Sequence, residues 1–332
     1  VIGVRFPLGV IAFMQADLGG ARSHHEQGAA LYDPKRDRDL ARQQGQDPAV
    51  MSLLFLSWTL WMQGYPEQAL AKAETALKLA EEINHPYTRT MAALLAADFY
   101  HFLSEWPLCQ AQAERGLELA SKWHFPFSHA GCTMHRGAAL ARQGDLESGI
   151  DILAQGLGAW KVTTTRMALA YWYARLAELY LLAGKREKGL ATLDESFRHE
   201  EEVFWLPEQH RIRAELFLLA PGNEVEAESC LRRSLDLARV RGAKALELRA
   251  AVSLARLLRQ LGRVAEGWEL LAECYAWFTE GLNTPDLRQA KQLLDELRRD
   301  VERPSGRSGN DSAAAVHHPE APRRAAVRAP GV

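Results

Sequence analysis

Residues 48–86 read PAVMSLLFLSWTLWMQGYPEQALAKAETALKLAEEINHP, and that stretch decides the fold. Ala49 to Gln63 is apolar and long enough for one helix. Gly64-Tyr65-Pro66 turns the chain, and Pro66 takes the first position of a second helix, where its missing N–H costs nothing. Over Glu67 to Ile83, Leu70, Ala73, Leu77 and Ala80 share one face at helical spacing. Asn84-His85-Pro86 then ends the helix. The unit is a pair of antiparallel helices.

The same grammar recurs along the chain. Leu77, Leu117, Leu157, Phe197, Leu235 and Tyr275 follow one another at spacings of 40, 40, 40, 38 and 40 residues. Thirteen residues before each stands a small turn residue: Gly64, Ser104, Gly144, Gly184, Gly222 and Gly262. A fixed period in this range marks a stacked array in which each unit buries its apolar face only against its neighbours. Further pairs are expected near 87–103 and 107–123, 127–143 and 145–160, 166–183 and 186–203, 208–220 and 223–240, and 243–261 and 263–278. A partial pair precedes them, Leu8 to Leu18 and Ala21 to Leu31 around Gly19-Gly20. The polar segment Asp33 to Asp47 is read as a loop.

Thr284-Pro285-Asp286 is a helix start, and Leu287, Ala290, Leu293, Leu294 and Leu297 give that helix one apolar face. The expectation is an all-α, right-handed superhelical solenoid over 1–300. It comprises about seven helix pairs of about 40 residues and a capping helix at 284–299. Residues 301–332, rich in Pro, Ala and Arg, are expected to be a disordered tail.

The units resemble the tetratricopeptide pattern. Seven residues before the turn, where that family wants a small side chain, stand Ser57, Ala97, Gly137, Ala177 and Ala255, with Glu215 departing. Five after it stand Ala69, Cys109, Gly149, Gly189, Ala227 and Gly267. Four before it stand the large residues Leu60, Tyr100, Leu140, Tyr180, Leu218 and Leu258. A narrower resemblance rests on Ala29-Ala30-Leu31-Tyr32-Asp33-Pro34, Gly45-Gln46-Asp47-Pro48, Leu246 to Ala251, and most specifically Trp277 to Leu297. These look like the C-terminal repeats of large bacterial signalling proteins. Those proteins carry a cyclase or kinase domain and a P-loop ATPase ahead of the repeats. The resemblance implies a sensor or scaffold arm acting on such attached parts. The tail after Arg303 and the truncated first unit depart from it, and the opening at Val1 suggests a fragment.

The 332 residues carry a formal net charge of −2, so no global field favours nucleic acid or an anionic membrane. Four separated cysteines without a CxxC pair suit reduced thiols in a cytoplasmic protein. The apolar stretch Val50 to Met62 is too short to span a bilayer.

Catalytic motifs are missing from the sequence. There is no GxxxxGK[ST]. Gly156-Leu157-Gly158 is half a dinucleotide fingerprint in the wrong context. His199-Glu200-Glu201-Glu202 reads as a solvated acidic run, and His24-His25 and His317-His318 as surface or tail pairs. His129, Cys132 and His135 fall on one helix face, but a buried structural thiol flanked by polar histidines is the preferred reading. No catalytic residue, cofactor or metal is therefore expected.

Register assigns the concave face to Met51, Trp58 and Trp61, then Asp98 and His101, Arg142, Glu178, and Arg249, Arg256 and Arg259. One end is aromatic and methionine-rich and the other basic, which suits a partner with an apolar and an acidic portion. Packing between repeats is the competing account of the tryptophans, and a solvated face that of the arginines. Two functions follow: a protein-interaction scaffold, or an arm that senses a peptide or small molecule for an attached ATPase or transcription regulator. An open groove favours the first, and a closed pocket at Trp58 and Trp61 the second.

Overall fold

The structure, a computed structural model, describes residues 2–33, 36–37, 39–163, 167–199 and 202–302. Helices pair in chain order: α1 (Ile2–Met14) with α2 (Leu18–Ala30), then, after the short α3 (Leu40–Gln44), α4 (Pro48–Met62) with α5 (Pro66–Ile83). There follow α6 (Pro86–Phe102) with α7 (Trp106–Trp123), α8 (Pro126–Arg142) with α9 (Leu146–Val162), and α10 (Leu169–Leu182) with α11 (Arg186–Phe197). The last pairs are α12 (Leu206–Phe217) with α13 (Glu224–Val240) and α14 (Lys244–Gln260) with α15 (Val264–Tyr275), and α16 (Pro285–Glu302) closes the stack. No strand occurs among the described residues. The tail beyond Glu302 lies outside them.

The turn series works through backbone geometry. Gly64, Ser104, Gly144, Gly184, Gly222 and Gly262 all have positive φ. In five of these turns the next N–H bonds back to the large residue four before the turn: Tyr65 to Leu60, Glu105 to Tyr100, Asp145 to Leu140, Lys185 to Tyr180 and Arg263 to Leu258. This left-handed closure satisfies carbonyls the helix end would orphan, and it fixes the angle at which the second helix folds back.

Small residues then set the helix spacing. A Cβ at Gly137 would meet the backbone N of Leu153 at 2.6 Å and the carbonyl O of Gly149 at 2.7 Å, so α8 and α9 touch backbone to backbone. Helix α4 is apolar all round and every one of its residues is buried. Helix α5 buries Pro66, Ala69, Ala73, Ala76 and Ala80, packs Leu70, Leu77, Leu79 and Ile83 half-buried against the core, and turns its charged side chains outward.

Several boundaries differ from the sequence reading, among them the start of α1 at Ile2 rather than Leu8 and the ends of α12 and α15, three residues early at Phe217 and Tyr275. The first turn lies at Gln15–Asp17, because Asp17 caps α2 by accepting the Gly20 N–H at 2.9 Å, which puts Gly19-Gly20 inside the helix. The segment 33–47 is not all loop, since it contains α3. Helix α11 stops at Phe197, six residues short. Glu202 turns inward there and accepts the Leu169 and Ala170 N–H groups at 3.0 and 2.8 Å, capping α10. Glu202 is therefore buried rather than part of a solvated run. His25 is likewise fully buried, stacked on Phe55, and is no surface residue.

The array closes on itself. Helix α14 packs against α4, and the strap 276–284 reaches the start of α5. Trp277 donates from Nε1 to the Gln63 carbonyl at 3.3 Å, and Lys244 lies 4.7 Å over its ring. The inner face is thereby enclosed.

Candidate binding chambers inside the closed superhelix

The enclosed face holds two chambers. The first, about 370 Å³, is apolar. Met51, Phe55 and Trp58 reach it from α4, one helical face spaced four and three residues apart. Met91, Leu94, Leu95, Asp98 and Phe102 reach it from α6, Tyr171 and Trp172 from α10, and Phe6, Val10 and Met14 from α1. Asp98 is the one charged side chain in this lining, among the described residues. Trp58 donates from Nε1 to the Leu95 carbonyl at 3.0 Å, which holds the indole edge fixed and leaves its ring as wall.

The second chamber, about 320 Å³, is polar. Arg142, Arg175, Arg211, Arg249 and Arg256 line it, with His101, Glu178, Glu215, Ser253 and Asp286. Glu178 sits among them, 2.7 Å from Arg142 and 3.0 Å from Arg175. Burial alone would raise its carboxyl. The guanidinium groups of Arg142, Arg175 and Arg211 outweigh that and hold it far below the usual carboxylate range. Glu208 is buried beside Arg211 at 2.8 Å and is held down in the same way. Burial, helped by the charge of Arg175, keeps the His101 imidazole neutral.

An aromatic septum separates the chambers. Trp61 stacks on Phe102 with centroids 4.9 Å apart, and Phe102 stacks on Trp205 at 5.3 Å. Arg175 lies 4.4 Å over Trp205 and 5.0 Å over Tyr171. Arg249 lies 5.0 Å over Trp61 and donates to the Phe102 carbonyl at 2.6 Å. The guanidiniums lie over the ring faces, where the ring quadrupole attracts a cation.

The sequence-assigned residues divide accordingly. Met51, Trp58 and Asp98 line the apolar chamber, while His101, Arg142, Glu178, Arg249 and Arg256 line the polar one. Trp61 belongs to the septum. Arg259 reaches neither chamber and pairs with Glu296 and Asp300 of α16 at 2.9 and 2.7 Å. Arg256 is exposed and has no carboxylate partner among the described residues. Glu215, the departure from the small-residue series, accepts from Arg211 at 2.7 Å and from Ser253 at 2.6 Å, so its place is explained by this chamber.

Sequence reasoning missed Arg175, Arg211, Glu208 and Trp205. Arg175 was within reach, since it stands on the inner face between Tyr171 and Glu178. Trp205 lies between the expected helices, where no repeat register points it inward. The proposed face of His129, Cys132 and His135 also divides: His129 is exposed, Cys132 packs toward Gly116, and His135 meets His101 and Cys109 instead. The four cysteines are unpaired.

No protein-family model matches the chain. An uncharacterized protein of Rhizobium meliloti (strain 1021) is 26% identical over 240 residues; the match covers 71% of this chain and 23% of that protein's length. RapI in its apo form superposes with a TM-score of 0.53 at 11% identity, over 91% of this chain and 99% of that one. A signal-transduction ATPase of Pyrococcus horikoshii with a tetratricopeptide repeat sensor gives a TM-score of 0.43 at 15% identity, over 90% of this chain and 44% of that one. Among the described residues no helix is long and apolar enough to cross a membrane. The chain is an all-α, tetratricopeptide-like helical solenoid.

Proposed function

We propose that this array is a non-catalytic regulatory arm that captures a ligand inside its superhelix and passes its occupancy to a partner protein or to attached signalling domains. The observation that carries the reading is the pairing of an apolar and an arginine-lined chamber across one septum. A peptide or small molecule with an apolar part and an acidic part matches both. The cavity walled by Trp58 speaks for the sensing form of this function over an open scaffold groove. Stacked repeats supply such concave surfaces without any catalytic group. The much greater length of the Rhizobium relative supports an arm of a larger cytoplasmic polypeptide, with a cyclase or kinase and a P-loop ATPase as the attached parts.

The test is calorimetric titration with short peptides that join a hydrophobic half to an Asp/Glu half, beside all-apolar and all-acidic controls. Saturable binding of the bipartite set alone is expected. Arg256→Ala should weaken it about tenfold, the worth of one charged hydrogen bond. Binding that ignores both Trp58→Ala and Arg256→Ala would sink the reading.

A further inference from the structure

We propose that His101, Cys109 and His135 form a zinc site, with the Asp98 carboxylate set against His135 beside it. One ring nitrogen of His101, the Cys109 Sγ and one ring nitrogen of His135 lie within 4.8 Å of one another. The three residues come from α6, α7 and α8 and are all buried. Asp98, one helical turn before His101, brings its Oδ1 to 2.9 Å from His135 Nε2.

Orphaned atoms mark the place. His101 Nδ1 and both His135 ring nitrogens are buried without a hydrogen-bond partner. Such atoms are rare in folded proteins and costly, and an ion is one of the few things that explains them. Asp98 Oδ1 is close to His135 Nε2 yet out of hydrogen-bond alignment.

The donor set selects the metal. Two imidazoles and a thiolate suit zinc, whereas calcium and magnesium want oxygen shells. Binding turns the Cys109 thiol into a thiolate, so zinc adds one net positive charge, set against the Asp98 carboxylate 2.9 Å from His135. Packing does not require the sulfur, because the equivalent position is Ala69, Gly149, Gly189, Ala227 or Gly267 in the other units. Three protein ligands hold the ion and leave a fourth position open. The site would tie three successive helices together and brace the wall that both chambers share, whether or not the chambers bind the ligand proposed above.

Cobalt(II) is the probe. Titrating the chelator-stripped full chain with cobalt should give a thiolate-to-metal charge-transfer band and strong tetrahedral d–d bands that saturate at one equivalent. One equivalent of zinc should bleach them, with proton release as Cys109 ionises. Cys109→Ala should abolish the charge-transfer band, while Cys132→Ala keeps it. No band in the wild-type protein, or one that survives Cys109→Ala, overturns the site. The wild-type titration decides even where a variant folds poorly.

Discussion

Glu280 and Glu67 cap each other across the closure of the superhelix. The Glu280 carboxylate accepts the backbone N–H groups of Glu67 and Gln68 at 3.0 and 3.1 Å. Glu67 Oε1 accepts the Gly281 N–H at 2.8 Å in return. Tyr65, the N-cap residue of α5, makes no side-chain cap of its own. The far end of the chain therefore supplies the anion that the start of α5 favours. Glu280→Ala is expected to cost about 1 kcal/mol in a denaturant titration. Small-angle scattering should show an expanded particle for this variant, and an unchanged profile would mean the strap is not the latch.

The contact between α8 and α9 predicts an opposed pair of glycine substitutions. Gly137→Ala drives a methyl into the Gly149 carbonyl and the Leu153 backbone, where nothing flexible can yield. A loss of about 3 kcal/mol is expected, at the upper end for overpacking. Gly158→Ala, inside α9 with open space around it, should instead gain about 0.5–1 kcal/mol from helix propensity. Thermal melts of the two variants check both signs.

Arg256 and Arg259 lie one turn apart on α14 but carry different tasks. Arg259→Glu sets a like charge against Glu296 and Asp300, and should loosen α16 by no more than about 1 kcal/mol, because these pairs are partly exposed. Adding Glu296→Lys should recover part of that loss. Arg256→Glu should leave the melting temperature alone and weaken ligand capture. Equal melting shifts for the two would contradict the division.

Acid sensitivity has a named source. Burial against Phe6 and Phe55 pushes the His25 imidazole down to about 4, whereas in the unfolded chain it titrates near about 6.5. Between these values the unfolded state binds a proton that the folded state refuses. Stability is therefore full above about pH 6.5 and falls as pH drops toward about 4. The His25 share is roughly 3 kcal/mol at about 1.4 kcal/mol per unit. Burial also pushes the His210 imidazole down to about 4, so His25→Gln should reduce that slope without abolishing it in urea titrations between these pH values, and a slope unchanged in the variant would assign the effect elsewhere.

The repeat, its turns and its helix faces were legible because each is local. Gly64 with Leu60, or Ser104 with Tyr100, needs only neighbouring residues. The inner-face register was legible for the same reason, which is how Met51, Trp58, Asp98 and Arg256 came to be named. What escaped depends on distant partners. Trp277 to Leu282 stood out as a distinctive stretch, but nothing local says that it seals the ring at Gln63 and Glu67. Glu202 looks solvated until α10 needs a cap. His25 looks exposed until Phe55 covers it. Cys109 reads as a small packing residue until His101 and His135 arrive from the helices on either side.

Hydrogen exchange with and without a bound bipartite peptide tests the central claim most directly. Slowed exchange confined to the inner segments around 51–58, 91–102, 171–178 and 249–256, with the outer helices α5, α7 and α9 unchanged, is the predicted result. Protection on the outer helices, with the inner segments unaffected, would contradict a ligand held inside the closed superhelix.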